Sequence, residues 1–260
     1  MPDELKYQEC FIAFFDILGF SEKVKFAEDD PIEISVLLHS LNICSSISSG
    51  NKKITNDSGR RRTIKIQGRY FSDSMVFFLE EDPKNIGHLF LIIRYIQDNL
   101  WKAGFVLRGA ITKGRMYIPN SKKESNITLG PGIIDAVYLE SKIAIYPRII
   151  ISDNLLEYIR NNNINAYPFA ENGYLVDYLR QDNDGIYFLD LLNRNIIRKT
   201  SERLEKKGNN FSIEWYSDDN GNHDEIMTSV SRCINNSINH KDESVRQKYK
   251  WLKIYKDNAV

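Results

Sequence analysis

The stretch Phe11-Ile12-Ala13-Phe14-Phe15-Asp16-Ile17-Leu18-Gly19-Phe20-Ser21 constrains this chain more than any other. Five apolar residues run straight into a single carboxylate, with Ile-Leu-Gly-Phe-Ser behind it. A short, continuous, aromatic-rich apolar run near the start of a chain predicts a β-strand buried on both faces. A carboxylate at the end of such a strand is costly unless a cation or a set of donors satisfies it. Gly19 permits a tight turn with close backbone approach, and Ser21 reads as a helix N-cap before Glu22-Lys23-Val24. The product is strand, carboxylate, turn and helix N-terminus, a place that can hold a metal with phosphates against it. The plainer alternative is a buried aspartate capping its own turn.

A chain of 260 residues can bury a sizeable core, as one large domain or as one domain with an appendage. Thirty-five basic residues balance thirty-five acidic ones, so no global field points to a nucleic-acid partner. Cys10, Cys44 and Cys233 are scattered and make neither a disulfide framework nor a zinc site. His39, His88, His223 and His240 show no ligand spacing, and no P-loop, nucleophile elbow or H-E-x-x-H occurs. Met1 to Lys6 lacks the pattern of a signal peptide, and the greasiest segment, Leu89 to Ile93, is too short to span a bilayer. The expected location is cytoplasmic, away from membranes.

Beyond the first strand, Ser21 to Ala27 and Pro31 to about Ser48 read as helices, the second with Pro31 at its first position. Ser48 to Arg62, including Arg60-Arg61-Arg62, reads as a polar solvated loop. Thr63 to Phe71 alternates as a strand, Ser72-Asp73-Ser74 turns, and Met75 to Leu79 returns antiparallel. Helical periodicity follows from Pro83 to Lys102. Phe105 to Ile118 reads as a long strand or hairpin with Gly109 and Gly114 at bulges or bends. Gly130-Pro131-Gly132 opens a helix over Ile133 to Ile143, Pro147 to Ile151 is a buried strand, and Ser152 caps a helix from Asn154 to Arg160. The order is β-α-β-β-α-β-α-β-α. The remainder is less regular: strand-like pieces at Gly173 to Tyr178 and Gly185 to Leu189, a loop from Lys206 to His223 interrupted by an apolar patch at Phe211 to Tyr216, and a helical tail from Asp224 to Tyr255.

Asp73 sits at the tip of the predicted hairpin. Two strand-terminal carboxylates far apart in sequence are what a two-metal phosphoryl-transfer site needs. There the metals neutralise phosphate charge, lower the pKa of an attacking hydroxyl and stabilise the leaving oxygen.

These segments, in this order, resemble the class III nucleotidyl cyclases. Phe15-Asp16-Ile17-Leu18-Gly19-Phe20-Ser21 is similar to that family's F-x-D-I-x-G-F-[ST] metal motif, and Arg69-Tyr70-Phe71-Ser72-Asp73-Ser74 falls where the family carries its hairpin Asp. Leu107 to Gly114 resembles its R-x-G-[IA]-x-x-G strand, and Gly130 to Glu140 followed by Ile149 to Ser152 resembles its G-x-x-V-N-x-A-x-R-L-E … I-x-[IV]-S segment. The resemblance spans about residues 10 to 160. More narrowly, the FFDILGFS, FSDS, LRGAIT and YPRI combination resembles the bacterial pyrimidine cyclases of Pycsar anti-phage systems.

The resemblance implies an α+β, ferredoxin-like cyclase domain over residues 1–165, with a mixed, largely helical elaboration over 166–260 packed on that core. It implies that Asp16 and Asp73, with the backbone carbonyl of Ile17, hold two divalent ions (Mn²⁺ or Mg²⁺), and that the amides of Leu18, Gly19, Phe20 and Ser21 cradle a triphosphate. In the family the residue four before the hairpin Asp reads the base, Lys for adenine and Glu for guanine; here it is Arg69. A guanidinium is all donors and suits the carbonyl-rich edge of uracil, and cytosine less well. The implied activity is UTP to 3′,5′-cyclic UMP and pyrophosphate by a homodimer with composite sites, for second-messenger synthesis in anti-phage defence. Cytidylate cyclisation, or a nucleotide-binding module without turnover, are the alternatives. The family's ribose Asn and transition-state Arg fall at Ile134 and Tyr138, which cannot act in the usual way; Asp135, Arg108, Lys113 and Arg148 are the possible replacements.

Overall fold

The structure is a computed structural model and describes residues 6–46, 50–55, 61–118, 128–170, 172–196, 199–207, 210–217 and 222–259, with backbone alone at 40, 43–46, 50–55, 61–63, 199–207, 210–217 and 222. The opening apolar run forms strand β1 (Tyr7–Leu18), two residues longer at its end than the position of Asp16 suggests. Cys10 to Ala13 and Phe15 are fully buried, so the strand is covered on both faces as its composition requires.

Helices α1 (Phe20–Phe26) and α2 (Pro31–Ser46) follow, then strands β2 (Gly50–Thr55), β3 (Arg61–Phe71) and β4 (Ser74–Glu80), helix α3 (Pro83–Lys102) and strand β5 (Val106–Tyr117). Asp30 starts α2 by accepting from the amides of Ile32 and Glu33, with Pro31 next to it. Asp82 does the same for α3 through Lys84, again with proline at the first position. After β5 come α4 (Pro131–Tyr138), a π-helical turn (Leu139–Ile143), β6 (Ile149–Ile151) and α5 (Asp153–Asn161). The last third holds a 3₁₀ turn (Leu175–Tyr178), β7 (Leu179–Gln181), β8 (Tyr187–Leu189), the hairpin β9 (Lys199–Lys207) and β10 (Asn210–Ser217), and helices α6 (Asn222–Ser237) and α7 (Glu243–Asp257).

One eight-stranded sheet runs β2-β3-β4-β1-β5-β6-β8-β7. Its centre, β3-β4-β1-β5, is antiparallel throughout, with α1 and α2 on the first crossover and α3 on the second. That is the ferredoxin-like α+β arrangement. Strands β7 and β8 continue the same sheet beyond β6.

Alternation along β1 divides the packing. Phe11, Ala13, Phe15 and Ile17 join the large core with α3, whose residues from Asn85 to Trp101 are nearly all buried. Each fully buried phenylalanine there contributes about 1.5–3 kcal/mol relative to exposure. Cys10 and Ile12 face the other way into a smaller core with Val76, Phe78, Met116 and Ala136 of α4. Helix α6 lies on α3, with the Cys233 thiol 3.6 Å from the carbonyl of Trp101. The thiols of Cys10 and Cys233 are thus sealed on opposite sides, and burial pushes them up to about 12 and about 11.

Several expectations change. Ser21 is not the N-cap of α1: the helix begins at Phe20, which packs on Phe105 at 6.3 Å, and Gly19 takes the cap position at φ +75°. Gly109 and Gly114 are not bulges, because β5 pairs with β1 without a register shift from Tyr117 to Val106. They serve close approach: a Cβ on Gly109 would meet the Phe14 carbonyl at 2.4 Å, and one on Gly114 would meet Gly132 of α4 at 2.8 Å. The supposed loop 48–62 contains β2, paired to β3; it is an edge strand, where a polar, lysine-bearing sequence is ordinary. The supposed loop from Lys206 is the strand pair β9–β10, in which Phe211, Ile213 and Trp215 alternate. Gly173 to Tyr178 gives a 3₁₀ turn, and the helical tail is two helices broken near His240.

Candidate active site

Strand β1 is hydrogen-bonded on both sides, and its register sets Asp16 opposite Ser74 of β4 and Arg108 of β5. The β3–β4 hairpin turns through Ser72 and Asp73 alone, since Phe71 pairs directly with Ser74. Ser72 takes φ +59°, a left-handed conformation that a two-residue hairpin turn commonly demands. The hairpin tip is laced to β1: the Ile17 amide donates to the Asp73 carbonyl at 3.0 Å. Two aspartates 57 residues apart in sequence (16 and 73) are therefore brought to the same end of the sheet's centre.

Three further charged groups gather at Asp16. The Arg108 guanidinium lies 3.6 Å from its carboxylate and also pairs with Glu140, a buried residue of the π-helical turn. Lys248 of α7 faces Asp16, Arg108 and Glu140 from the C-terminal helix. Burial, then the Glu140 charge and, more weakly, that of Asp73, push the Asp16 carboxyl up to about 6, against the opposing pull of Arg108. Burial, together with Arg108, holds the Lys248 ammonium below the usual lysine range.

Arg69 pairs with Val76, which pairs with Phe14, and Phe71 pairs with Ser74, which pairs with Asp16. Cross-strand partners share a face, so Arg69, Phe71, Asp16 and Arg108 all lie on the α4 side of the sheet. Arg69 is buried, and Nη1 donates to its neighbour's carbonyl, Gly68, at 2.7 Å. Burial lowers its guanidinium from the usual value. Leu18 ends β1 opposite Val106, Gly19 is exposed, and Phe20 and Ser21 form the first turn of α1, where amides have no intrahelical acceptor.

Of the four residues that could replace the missing arginine, one reaches Asp16. That is Arg108. Arg148 is fully enclosed and committed to Asp182 and Asp184. Lys113 bridges Glu9 and Glu81, each at 3.4 Å, and shares with Asp135 a separate cavity of about 520 Å³ at the opposite end of β1. Ile134 and Tyr138 are exposed on α4. Glu140 and Lys248 had no role assigned from the sequence. Glu140 closes the segment from Gly130, so a buried acid beside Arg108 could have been suspected; Lys248 is marked locally only as a break in an apolar helix repeat.

The donor set suits a hard divalent ion. Burial, with the Glu140 and Asp73 charges behind it, keeps the proton on Asp16 up to about pH 6, and a bound cation would offset that cost of ionisation. Among the described residues no three His, Cys, Asp or Glu side chains form a metal group. A site built on Asp16 and Asp73 would need its remaining ligands from backbone, water and a phosphate, which is how magnesium is ordinarily held. Among the described residues no helix is long and apolar enough to cross a membrane.

No protein-family model matches the chain, and no curated protein matches its sequence. Solved structures do align with it. The adenylyl cyclase CyaB from P. aeruginosa aligns at 17% identity and a TM-score of 0.43, over 72% of this chain and 95% of that one. An adenylate cyclase from Trypanosoma brucei, in its monomeric state, aligns at 10% identity and 0.42, over 70% and 90%. The catalytic core of a rhodopsin-guanylyl cyclase with converted specificity, in complex with ATPαS, aligns at 15% identity and 0.40, over 72% and 98%. Likenesses this distant carry no weight for substrate or activity.

Proposed function

We propose that the chain is a nucleotide cyclase that converts UTP to 3′,5′-cyclic UMP and pyrophosphate, in the setting of anti-phage signalling that its motifs suggest. In this reading residues 1–165 form the cyclase domain and 166–260 an elaboration packed on it. One observation carries the reading: the Ile17–Asp73 backbone bond, which fastens the hairpin carboxylate beside Asp16 on the sheet face that also bears Arg69.

Asp16 and Asp73, assisted by the Ile17 carbonyl, would hold two divalent ions (Mn²⁺ or Mg²⁺). Such ions supply charge neutralisation of the triphosphate and acidify the ribose 3′-hydroxyl for in-line attack on the α-phosphorus. Arg108, fixed by Glu140, stands beside Asp16 and can bear on the charge that develops at the α-phosphate, the role left open by Tyr138. The amides of Leu18, Gly19, Phe20 and Ser21 would cradle the phosphate chain. Arg69 donates to the base edge, and uracil, with two carbonyl oxygens, satisfies it best.

Phe71, Ile134, Val137 and Tyr138 leave apolar surface exposed on the same side. That surface supports a two-fold dimer with composite sites, in which Arg69 of one subunit serves the carboxylates of its partner. Cytidine triphosphate is the alternative substrate. The exposed Ile134 and Tyr138 favour a second reading, a nucleotide-binding module without turnover. Incubating the purified protein with each nucleoside triphosphate and Mn²⁺ decides: cyclic UMP with pyrophosphate supports the proposal, cyclic CMP the alternative, and binding without product the module.

A further inference from the structure

Helix α7 carries a lysine where its packing pattern calls for an apolar side chain. Tyr249, Leu252 and Tyr255 are buried along the inward side of this helix, and Val245 is half-buried on the same side. Lys248 falls three residues after Val245 and four before Leu252, on that side, and is itself half-buried. The helix is held at both ends. His240, just before it, lies 3.3 Å from Glu22 of α1. Further along, the Trp251 indole donates to Asp182 at 2.6 Å and its ring stacks on Tyr146, while the Tyr255 hydroxyl donates to Asp190 at 2.7 Å. Helix α1 follows the strand that carries Asp16, and Tyr146 lies three residues beyond the turn that carries Glu140. Lys248 is thereby fixed between them.

Its charge has no close ion-pair partner among the described residues. Arg108 is engaged by both Glu140 and Asp16, whereas among the described residues Lys248 makes no ion pair within 4 Å. The carboxylates of Asp242, Asp16 and Glu140 act on it only from beyond ion-pair distance and against Arg108, and lysine is a compact point charge well suited to phosphate oxygens. We propose that Lys248 is an anion-binding residue of the site, reaching from the C-terminal helix to the phosphate chain of the bound nucleotide. The identity of that anion rests on the nucleotide reading above; the position and the absence of a close ion pair do not. Helix α7 is then part of the site wall, and residues far outside the cyclase-like segment complete it.

The probe is inorganic tripolyphosphate with Mn²⁺, titrated calorimetrically into the full chain as wild type, Lys248→Met and Lys248→Arg, with thermal melting of each. Wild type should bind, Lys248→Met should bind about tenfold or more weakly without melting lower, and Lys248→Arg should recover most of the affinity. If Lys248→Met melts lower, Lys248→Gln replaces it in the same titration. Wild-type affinity in the uncharged variant, or no binding by wild type, overturns the proposal. Turnover separates the two readings. Loss of tripolyphosphate binding in the variant, in a protein that cyclises no nucleotide, sustains the Lys248 site and removes the cyclase. A cyclase whose KM and kcat ignore Lys248→Met does the reverse.

Discussion

Replacing Asp16 with asparagine should make the protein more stable while removing its activity. The carboxyl is pushed from 3.8 to about 6, chiefly by burial and then by Glu140. Two pKa units correspond to about 3 kcal/mol between protonation states. Because the folded-state value lies above the unfolded one, the ionised group works against folding at high pH. That burden is fully present above about pH 6 and lifts as the pH falls toward 4. Asparagine keeps the shape and drops the charge, at the loss of the 3.6 Å contact with Arg108, which Glu140 continues to hold. The gain is therefore bounded by about 3 kcal/mol, or about 6–12 °C in Tm for a domain of this size. Melting of both proteins, metal-free, at pH 8 and pH 4.5 measures it. The variant should melt higher at pH 8, and the gap should shrink to about a third at pH 4.5, where the folded wild-type carboxyl has taken up its proton. Mn²⁺ should raise the wild type, by about 2.7 kcal/mol at a hundred times its Kd, and leave the variant almost unmoved. A variant that melts at or below wild type at pH 8, or a gap indifferent to pH, refutes the account of Asp16.

Asp73→Ala should abolish cyclic nucleotide formation while retaining the wild-type circular dichroism spectrum, and full turnover at matched Mn²⁺ removes Asp73 from the site. Arg69→Ala should lower UTP turnover more than triphosphate binding; an unchanged ratio of UTP to CTP, ATP and GTP turnover makes Arg69 only a strand residue. Asp16→Ala and Arg69→Ala chains, each nearly inactive, should recover about a quarter of wild-type activity when mixed, since half the dimers are mixed and each has one restored site. A mixture that stays inactive while mixed dimers are shown to form places each site within one chain. Gly109→Ala should destabilise by about 1–3 kcal/mol, seen as a lower urea midpoint, because its Cβ would meet the Phe14 carbonyl at 2.4 Å.

The parts of the fold written in local periodicity were legible from sequence. The apolar run through Phe15, the alternation before Phe71 and the helical repeat from Pro83 to Lys102 each announce their own structure. What could not be read depends on partners distant in the chain. β2 and β9 are polar strands whose character comes from the neighbour they pair with. Gly19 outcompetes Ser21 as the cap because Phe20 is drawn onto Phe105, 85 positions later (20 to 105). At the site, Asp16 and Asp73 could be proposed because each ends or turns a recognisable strand. Arg108 could be singled out from Lys113 and Arg148 only once the register of β1 against β5 was known. Lys248 interrupts the apolar repeat of its own helix, but what it faces is invisible to local pattern, since that comes from a helix folding back across the whole chain.

The two sealed cysteines offer a way to watch the molecule open. Cys10 lies beneath α4 and Cys233 between α6 and α3, so a thiol-modifying reagent reaches each only when its own cover lifts. In a Cys44→Ser background, the two alkylation rates measure the opening of the two sides of the sheet independently. Nucleotide that clamps the α4 side would slow modification at Cys10, and slowing at Cys233 as well would reveal whether the two sides breathe as one unit or as two.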